Sequence, residues 1–285
     1  MRPRQWAKNL FVFAGLLFAQ KLFTGPAAAL AAAAFVLFCA LSGAMYLLND
    51  VADREQDRLH PKKRERPVAS GRLSVPVAVA AAIVLIVAAL GGSLAISWRL
   101  AGVAAAYALL LTAYSVWLKH LVLVDVLVVA VGFVLRAVGG AVAIDVEISG
   151  WLLICTILLA LFLALGKRRH EYLALGGEAA RHRPILAEYS AALLDQMIAV
   201  VTASAVTAYA LYTMSPETVA KFHTHLLPAT LPFVLYGIFR YLYLLYSKQL
   251  GGNPSELFLN DGPLLVNTFL WFLVVLAIVY GPAVR

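Results

Sequence analysis

The 22 residues from Val75 to Ile96 carry no charge, and comparable apolar runs recur along the whole chain. In hydrocarbon, every backbone N–H and C=O must find its partner within the protein, so only helices and closed barrels cross a bilayer. A crossing helix takes roughly 20 apolar residues. On that ruler, spans are expected near 9–23, 27–48, 75–97, 100–117, 122–143, 150–166, 196–214, 226–246 and 263–283. The fold class is therefore all-α: a polytopic bundle of about nine transmembrane helices, expected to form one helical domain over 1–285. Composition excludes a soluble alternative. Only 13% of the 285 residues are charged, against about 25% in soluble domains.

Turn chemistry separates the spans at Gly25-Pro26, Gly71, Ser149-Gly150, Ser215-Pro216 and Gly262-Pro263. The opening residues superficially resemble a signal peptide but are read as a first span. Cys39 and Cys155 fall inside apolar runs, which points to packing rather than to a disulfide or a metal site. With the N-terminus placed in the cytoplasm, 17 of the 23 lysines and arginines lie on cytoplasmic segments and four on the opposite face; Arg136 and Arg240 lie within spans. The positive-inside rule then sets the orientation in a plasma (inner) membrane. Two cytoplasmic loops, 49–74 and 167–195, are long and charged, and function is expected there, as a cap over the helix ends.

The most informative segment is Asn49-Asp50-Val51-Ala52-Asp53-Arg54-Glu55-Gln56-Asp57. On a helix continuing the second span, Asp50, Asp53 and Asp57 share one face. Three aligned carboxylates repel one another, and this favours a bound divalent cation. Mg²⁺ takes oxygen ligands and typically combines one or two carboxylates with substrate phosphates. The competing reading is a solvated helix end whose acids pair with Arg54, Arg58 and Lys62.

The pattern Asn-Asp-x-x-Asp-x-x-x-Asp after a second span, in a chain of about nine spans, resembles the UbiA superfamily of membrane prenyltransferases. That resemblance implies that Asp50, Asp53 and Asp57, with Asn49 beside them, hold Mg²⁺ and a diphosphate. A typical member carries a second acidic motif after its sixth span. Here that position reads Gly166-Lys167-Arg168-Arg169-His170-Glu171, with one acid among three cations, and Arg181 and Arg183 follow. Such a run suits a phosphate better than a second metal.

One branch is more similar. The segments Arg2 to Asn9, Tyr114 to Lys119, and Asp125 to Gly140 with Leu135-Arg136-Ala137 resemble the decaprenyl-phosphate phosphoribosyltransferases. The likeness implies Mg²⁺-dependent transfer of 5-phosphoribosyl from phosphoribosyl diphosphate to a polyprenyl phosphate lipid, an early step toward cell-wall arabinan. One acidic motif and several basic clusters match a donor carrying a diphosphate and an acceptor carrying a single phosphate. Candidates for phosphate contact are Lys8, Tyr114 and Lys119 at helix ends, Arg64 and Arg66 over the donor, and Lys167, Arg168 and Arg169 for the other phosphate, with Glu171 beside them in the substrate site. Cytoplasmic cations also anchor helices and bind anionic headgroups, and this alternative stays open for each cluster.

Arg136 lies deep in the fifth span, where an ionised group is costly and faces the bundle interior; it is expected either to bind a substrate phosphate or to fix the bundle by internal pairing, the second being favoured. Asp125, eleven residues earlier on the same face, is about 16 Å away along the axis, and its role is open. A conventional prenyl transfer to an aromatic or glycerol-lipid acceptor would want the second acidic motif. A transporter would place polar groups near the midplane and show inverted repeats. No nucleic-acid partner is expected. Association into a homo-oligomer, a trimer for instance, is left open, because apolar surface facing lipid and apolar surface facing a neighbour look alike.

Overall fold

A computed structural model describes residues 3–59, 63–175 and 184–281. Arg2, Lys62, Arg181, Arg183 and Arg285, all counted in the charge asymmetry, lie outside these residues, as does the side chain of Arg4. The chain divides into two compact units, Met1–Ile148 with Gly177–Glu188, and Ser149–Gly176 with Tyr189–Arg285. Among the described residues, eight helices are long and apolar enough to cross a membrane.

The first unit opens on a 3-10 helix, Pro3–Phe13, followed by α1 (Ala14–Phe18), α2 (Gly25–Ala52) and the short α3 (Arg54–Leu59). After a 3-10 turn at Lys63–Glu65 come α4 (Val75–Ile96), α5 (Trp98–Val116), a second 3-10 turn at Leu118–His120, and α6 (Val124–Ala143). The 3-10 stretch Pro184–Glu188 also belongs here. Helices α2 and α6 are the inner ones, with 50% and 61% of their apolar windows buried, against 17% for α4 and for α5. Val77, Ile83, Val84, Val87 and Leu94 stand exposed along α4, as expected of a surface whose solvent is lipid. Lipid gives helices no hydrophobic reason to associate, so they approach closely through small residues. Ala27, Ala31 and Ala34 on α2, Ala78, Ala82 and Ala89 on α4, and Ala104 on α5 are all buried.

The apolar stretch expected as a span over 9–23 is 3-10 as far as Phe13, α-helical from Ala14, and ends at Phe18. A 3-10 helix rises about 2.0 Å per residue rather than 1.5 Å, so it lengthens a stretch that is short for an α-helical crossing. It also has three residues per turn, which sets Asn9 and Val12 in one row, and Gly15 in α1 continues it. That row faces α6. Asn9 meets Arg136, the Val12 carbonyl lies against Gly140, and Gly15 lies against Ala141. A Cβ on Gly140 would stand 1.8 Å from the Val12 oxygen, so only glycine admits the contact.

Arg136 is buried and ties four elements together. Its Nε–H donates to Asn9 Oδ1 (2.7 Å), Nη1 donates to the Gly132 carbonyl (2.9 Å) and Nη2 to the Tyr107 hydroxyl (2.5 Å). The guanidinium also lies 4.8 Å from the Tyr107 ring and 5.1 Å from the Phe133 ring, within cation–π range. Asn9 in turn donates to Cys39 Sγ (3.1 Å) and Ser42 Oγ (3.2 Å) on α2. The expectation that Arg136 fixes the bundle agrees with these bonds. Around them pack Phe38, Leu41, Leu100 and Tyr107.

The second unit contains α7 (Gly150–Leu175), α8 (Ala191–Met214), α9 (Pro216–Phe222), α10 (Leu231–Tyr246) entered by a 3-10 turn at Leu227–Thr230, α11 (Pro254–Asn260) and α12 (Gly262–Tyr280). Helix α7 packs along α8, and α10 packs along α12. Polar pins join the helices: Trp271 Nε1–H of α12 donates to the Tyr209 hydroxyl of α8 (3.0 Å), and Asn267 Nδ2 of α12 donates to the Phe233 carbonyl of α10 (2.9 Å). The other cation expected inside a span, Arg240, is bonded through two nitrogens to Asp261 (3.1 and 2.8 Å). Asp261 also caps α12, accepting from Leu264 N–H (2.9 Å).

Three outcomes follow from these contacts. Asn9→Ala, which removes an acceptor from a buried cation, is expected to lower stability by about 1.5–3 kcal/mol, read from thermal unfolding in detergent. Gly140→Ala is expected to lower the melting temperature further than Gly139→Ala, because the first would meet backbone and the second only the Phe38 ring. The hydrogen bonds from Arg240, opposed by burial and assisted by Leu264 N–H, hold the Asp261 carboxyl below its ordinary range. A depressed carboxylate stabilises above the unfolded pKa and loses that contribution as pH falls through the folded value. Asp261→Asn should therefore melt earlier than wild type at pH 7, and the gap should close as the pH falls below about 4, the unfolded aspartate value.

Candidate functional site

Helix α2 runs past the apolar stretch and carries Asn49 and Asp50 in its last turn. It stops at Ala52. Asp53 stands at the cap with φ −92° and ψ 8°, and α3 restarts at Arg54. The Asp57 N–H reaches back to the Asp53 carbonyl at 2.8 Å, so the chain is nearly helical across the break. The spacing predicts three carboxylates along one continuous face. The interruption divides them instead: Asp50 and Asp57 converge on one cation, and Asp53 is held by another.

The first cation is Arg66. Its Nη1 lies 3.1 Å from Asp50 Oδ1 and 2.6 Å from Asp57 Oδ2. Both carboxylates are deeply buried, with side chains 7% and 3% exposed. The second cation is Lys119, in the 3-10 turn between α5 and α6, whose Nζ donates to Asp53 Oδ1 at 2.6 Å. The other Asp53 oxygen accepts from Asn49 Nδ2 at 2.9 Å. A phosphate approaches three such acids only with positive charge between it and them. A cavity of about 90 Å³ opens beside Asp50, lined by Gly43, Tyr46, Leu47, Pro67, Val68 and Leu73.

The segment carrying Arg66 is anchored on its own account. Arg58 Nε–H donates to the Ala69 carbonyl (3.1 Å), Leu73 N–H to Pro67 O (2.8 Å), and Ser70 N–H to Arg66 O (2.8 Å). Arg72 bonds the Glu65 carbonyl, and Val68 and Ala69 are buried. Among the described residues no three Asp, Glu, His or Cys side chains form a ready metal cage. The donor set nevertheless suits Mg²⁺, which needs only one or two carboxylates when phosphate oxygens complete its shell. Asp50 and Asp57 already bring carboxylate oxygens to one positive centre, the Arg66 nitrogen.

The other candidates from the sequence take different places. Lys8 is half-buried in the 3-10 helix next to Asn9, and Tyr114 is half-buried near the end of α5. Arg64 is exposed in the turn Lys63–Glu65. Asp125, open in the sequence, is fully buried in the first turn of α6, where helix N–H groups favour an anion. Leu123, two residues before it, has φ 65° and ψ −40°, a conformation that costs a side-chain-bearing residue on the order of 1–3 kcal/mol.

The basic run Lys167, Arg168, Arg169 belongs to the second unit. It was expected in a loop but lies within α7, which continues to Leu175. Lysine, arginine, glutamate, alanine and leucine are strong helix formers, and pairs at helical spacing reinforce them. Arg168 is buried and bonded to Glu171, and Lys167 Nζ lies 3.6 Å from Glu171 Oε1. Arg169 Nε–H donates to Asp195 Oδ1 (2.6 Å), and its guanidinium stacks 4.0 Å from the Tyr246 ring. The Tyr246 hydroxyl donates to the same Asp195 oxygen (2.9 Å). Asp195 and Tyr246 did not stand out in the sequence. The signal available was that Asp195 is the one charged residue between Ser190 and Ser215, and an acid bordering a membrane run usually has a named partner.

Comparison with known proteins places the fold and the family. A profile of the UbiA prenyltransferase family matches residues 9–273. The decaprenyl-phosphate phosphoribosyltransferase of Mycolicibacterium smegmatis is 32% identical, covering 98% of this chain and 91% of its own. That of Corynebacterium glutamicum is 34% identical, covering 99% and 86%. A solved UbiA homolog from Archaeoglobus fulgidus, bound to DMAPP and Mg²⁺, superposes with a TM-score of 0.73 over 98% of this chain and 97% of its own, at 17% identity. A family profile over nearly the whole chain, relatives above 30% identity and a shared helical fold lead to one conclusion: the chain belongs to the UbiA prenyltransferase family and is a multi-pass membrane transferase.

Proposed function

We propose that this transferase moves a 5-phosphoribosyl group from phosphoribosyl diphosphate to a polyprenyl phosphate and releases diphosphate. In this reading it works at the cytoplasmic face of the plasma membrane, supplying a precursor of cell-wall arabinan. The observation that carries it is the pair of buried carboxylates, Asp50 and Asp57, sharing one cation at the end of α2. The names of relatives at 32% and 34% identity support a phosphoribosyl donor and a decaprenyl-phosphate acceptor. The Mg²⁺ in the A. fulgidus homolog supports a divalent metal.

Asp50 and Asp57 would hold the Mg²⁺, with Asp53 behind them on Lys119 and Asn49. When bound, the ion neutralises the diphosphate as a Lewis acid. Asp53 holds the Lys119 ammonium at the same helix end, where it adds positive charge toward the leaving group. The bond between sugar C1 and the diphosphate oxygen breaks with its electron pair leaving on the diphosphate. An oxygen of the lipid phosphate forms the new bond to C1. That acceptor is already an anion at neutral pH, so no general base is needed, in keeping with a site built from acids and cations alone.

The test uses purified protein, Mg²⁺ and radiolabelled phosphoribosyl diphosphate with polyprenyl phosphate, beside a second mixture of prenyl diphosphate and an aromatic acceptor. Wild type is expected to put label into the lipid phase with the first pair. EDTA should abolish the transfer, and Asp57→Asn and Asp53→Asn should each lower it at least about a hundredfold, the scale of losing one electrostatic contact to a transition state. Turnover with the second mixture alone would replace phosphoribosyl transfer by prenyl transfer.

A further inference from the structure

A single nitrogen, Arg66 Nη1, lies within ion-pair distance of both Asp50 and Asp57. A cation placed between two carboxylates this deeply buried offsets both their mutual repulsion and the cost of taking them out of water. An arginine or a metal ion can supply that cation, and in this structure Arg66 does. Arg66 is suited to do so temporarily. Its backbone is fixed, with N–H on Lys63 O (2.9 Å) and C=O accepting from Ser70 N–H (2.8 Å), and the following Val68 and Ala69 are seated in the core. Its side chain is a flexible stem, 23% exposed, ending in a fork that binds phosphate as well as it binds carboxylate. Asp53 is different, with both oxygens already taken by Lys119 and Asn49.

We propose that Arg66 is a placeholder cation. It neutralises Asp50 and Asp57 while the metal is absent, and it is displaced from them by the metal, turning its N–H groups onto the diphosphate. The inference rests on the metal-diphosphate reading of this site and adds an order to it. Metal alone binds weakly, because Arg66 must leave its two carboxylates with nothing to receive it. Diphosphate supplies the receiving anion, so the metal and the diphosphate strengthen each other's binding, reciprocally. Arg66 is thus a positioning residue that sets how tightly the two ligands are coupled.

The experiment measures Mn²⁺ binding to the full chain in detergent by electron paramagnetic resonance, with and without inorganic diphosphate. Wild type is compared with Arg66→Gln, Arg66→Lys and Asp57→Asn. Arg66→Gln is expected to bind Mn²⁺ alone about tenfold tighter than wild type, within the usual range of such couplings, and to lose most of the strengthening by diphosphate. Arg66→Lys, which keeps the charge but not the fork, should fall between and decides the matter if the glutamine variant does not fold. A role for Arg66 as a structural strap alone predicts Mn²⁺ binding no tighter in either variant, and that result would overturn the proposal. Wild type that binds no Mn²⁺ under either condition would instead overturn the metal-diphosphate reading beneath it.

Discussion

A guanidinium buried among apolar helices is tolerable only where its N–H groups are met, and the packing of the first unit is arranged around meeting those of Arg136. Asn9, Gly132 and Tyr107 supply the acceptors, and they come from the 3-10 helix, α6 itself and α5. One turn on from Asn9, the Val12 carbonyl rests directly on Gly140, so the 3-10 helix lies close against α6. Asn9 then passes the network on to Ser42 and Cys39 of α2. The inner helices α2 and α6 are thereby set in register. The ends of α2 and α5, where Asp50, Asp53 and Lys119 stand, inherit that register.

The same rule acts at the helix ends with opposite charges. Asp50, Asp53 and Asp57 are too buried and too close to stand alone, and Arg66 and Lys119 are placed to answer them. In the second unit Asp195 answers Arg169, Glu171 answers Arg168 and Lys167, and Asp261 answers Arg240. Ion pairs of this depth are weak evidence of stability, because desolvation offsets most of the attraction. They are better evidence of specificity: each one states which helix lies beside which.

Much of the architecture could be read directly. The apolar runs located the eight long helices, the proline and glycine pairs located their ends, and the Asn49 to Asp57 pattern located the candidate site and the family. Arg136 could be assigned to the bundle interior from its depth alone. Three things could not be read. The 3-10 geometry at the start of the first apolar run, and its close approach to Gly140 about 130 positions away, are not encoded by local propensity. The basic run at Lys167 extends a helix, since its carboxylate partner Glu171 lies at helical spacing and Asp195 arrives from another element. The acid triad is split by a break at Asp53 that spacing alone treats as continuous helix.

The division has a physical basis. Hydropathy and charge act through the solvent, residue by residue, so the sequence by itself determined that this chain crosses a membrane, roughly where, and at which ends its acids and cations gather. Pairing of charges depends on distance between residues far apart in the chain, such as Asp53 and Lys119 or Arg169 and Asp195. Only the tertiary structure decided which cation meets which carboxylate, and hence that Asp50 and Asp57 share one positive centre while Asp53 has another. Coulomb attraction and desolvation are set by separations of a few ångströms, and those separations exist only once the helices have packed.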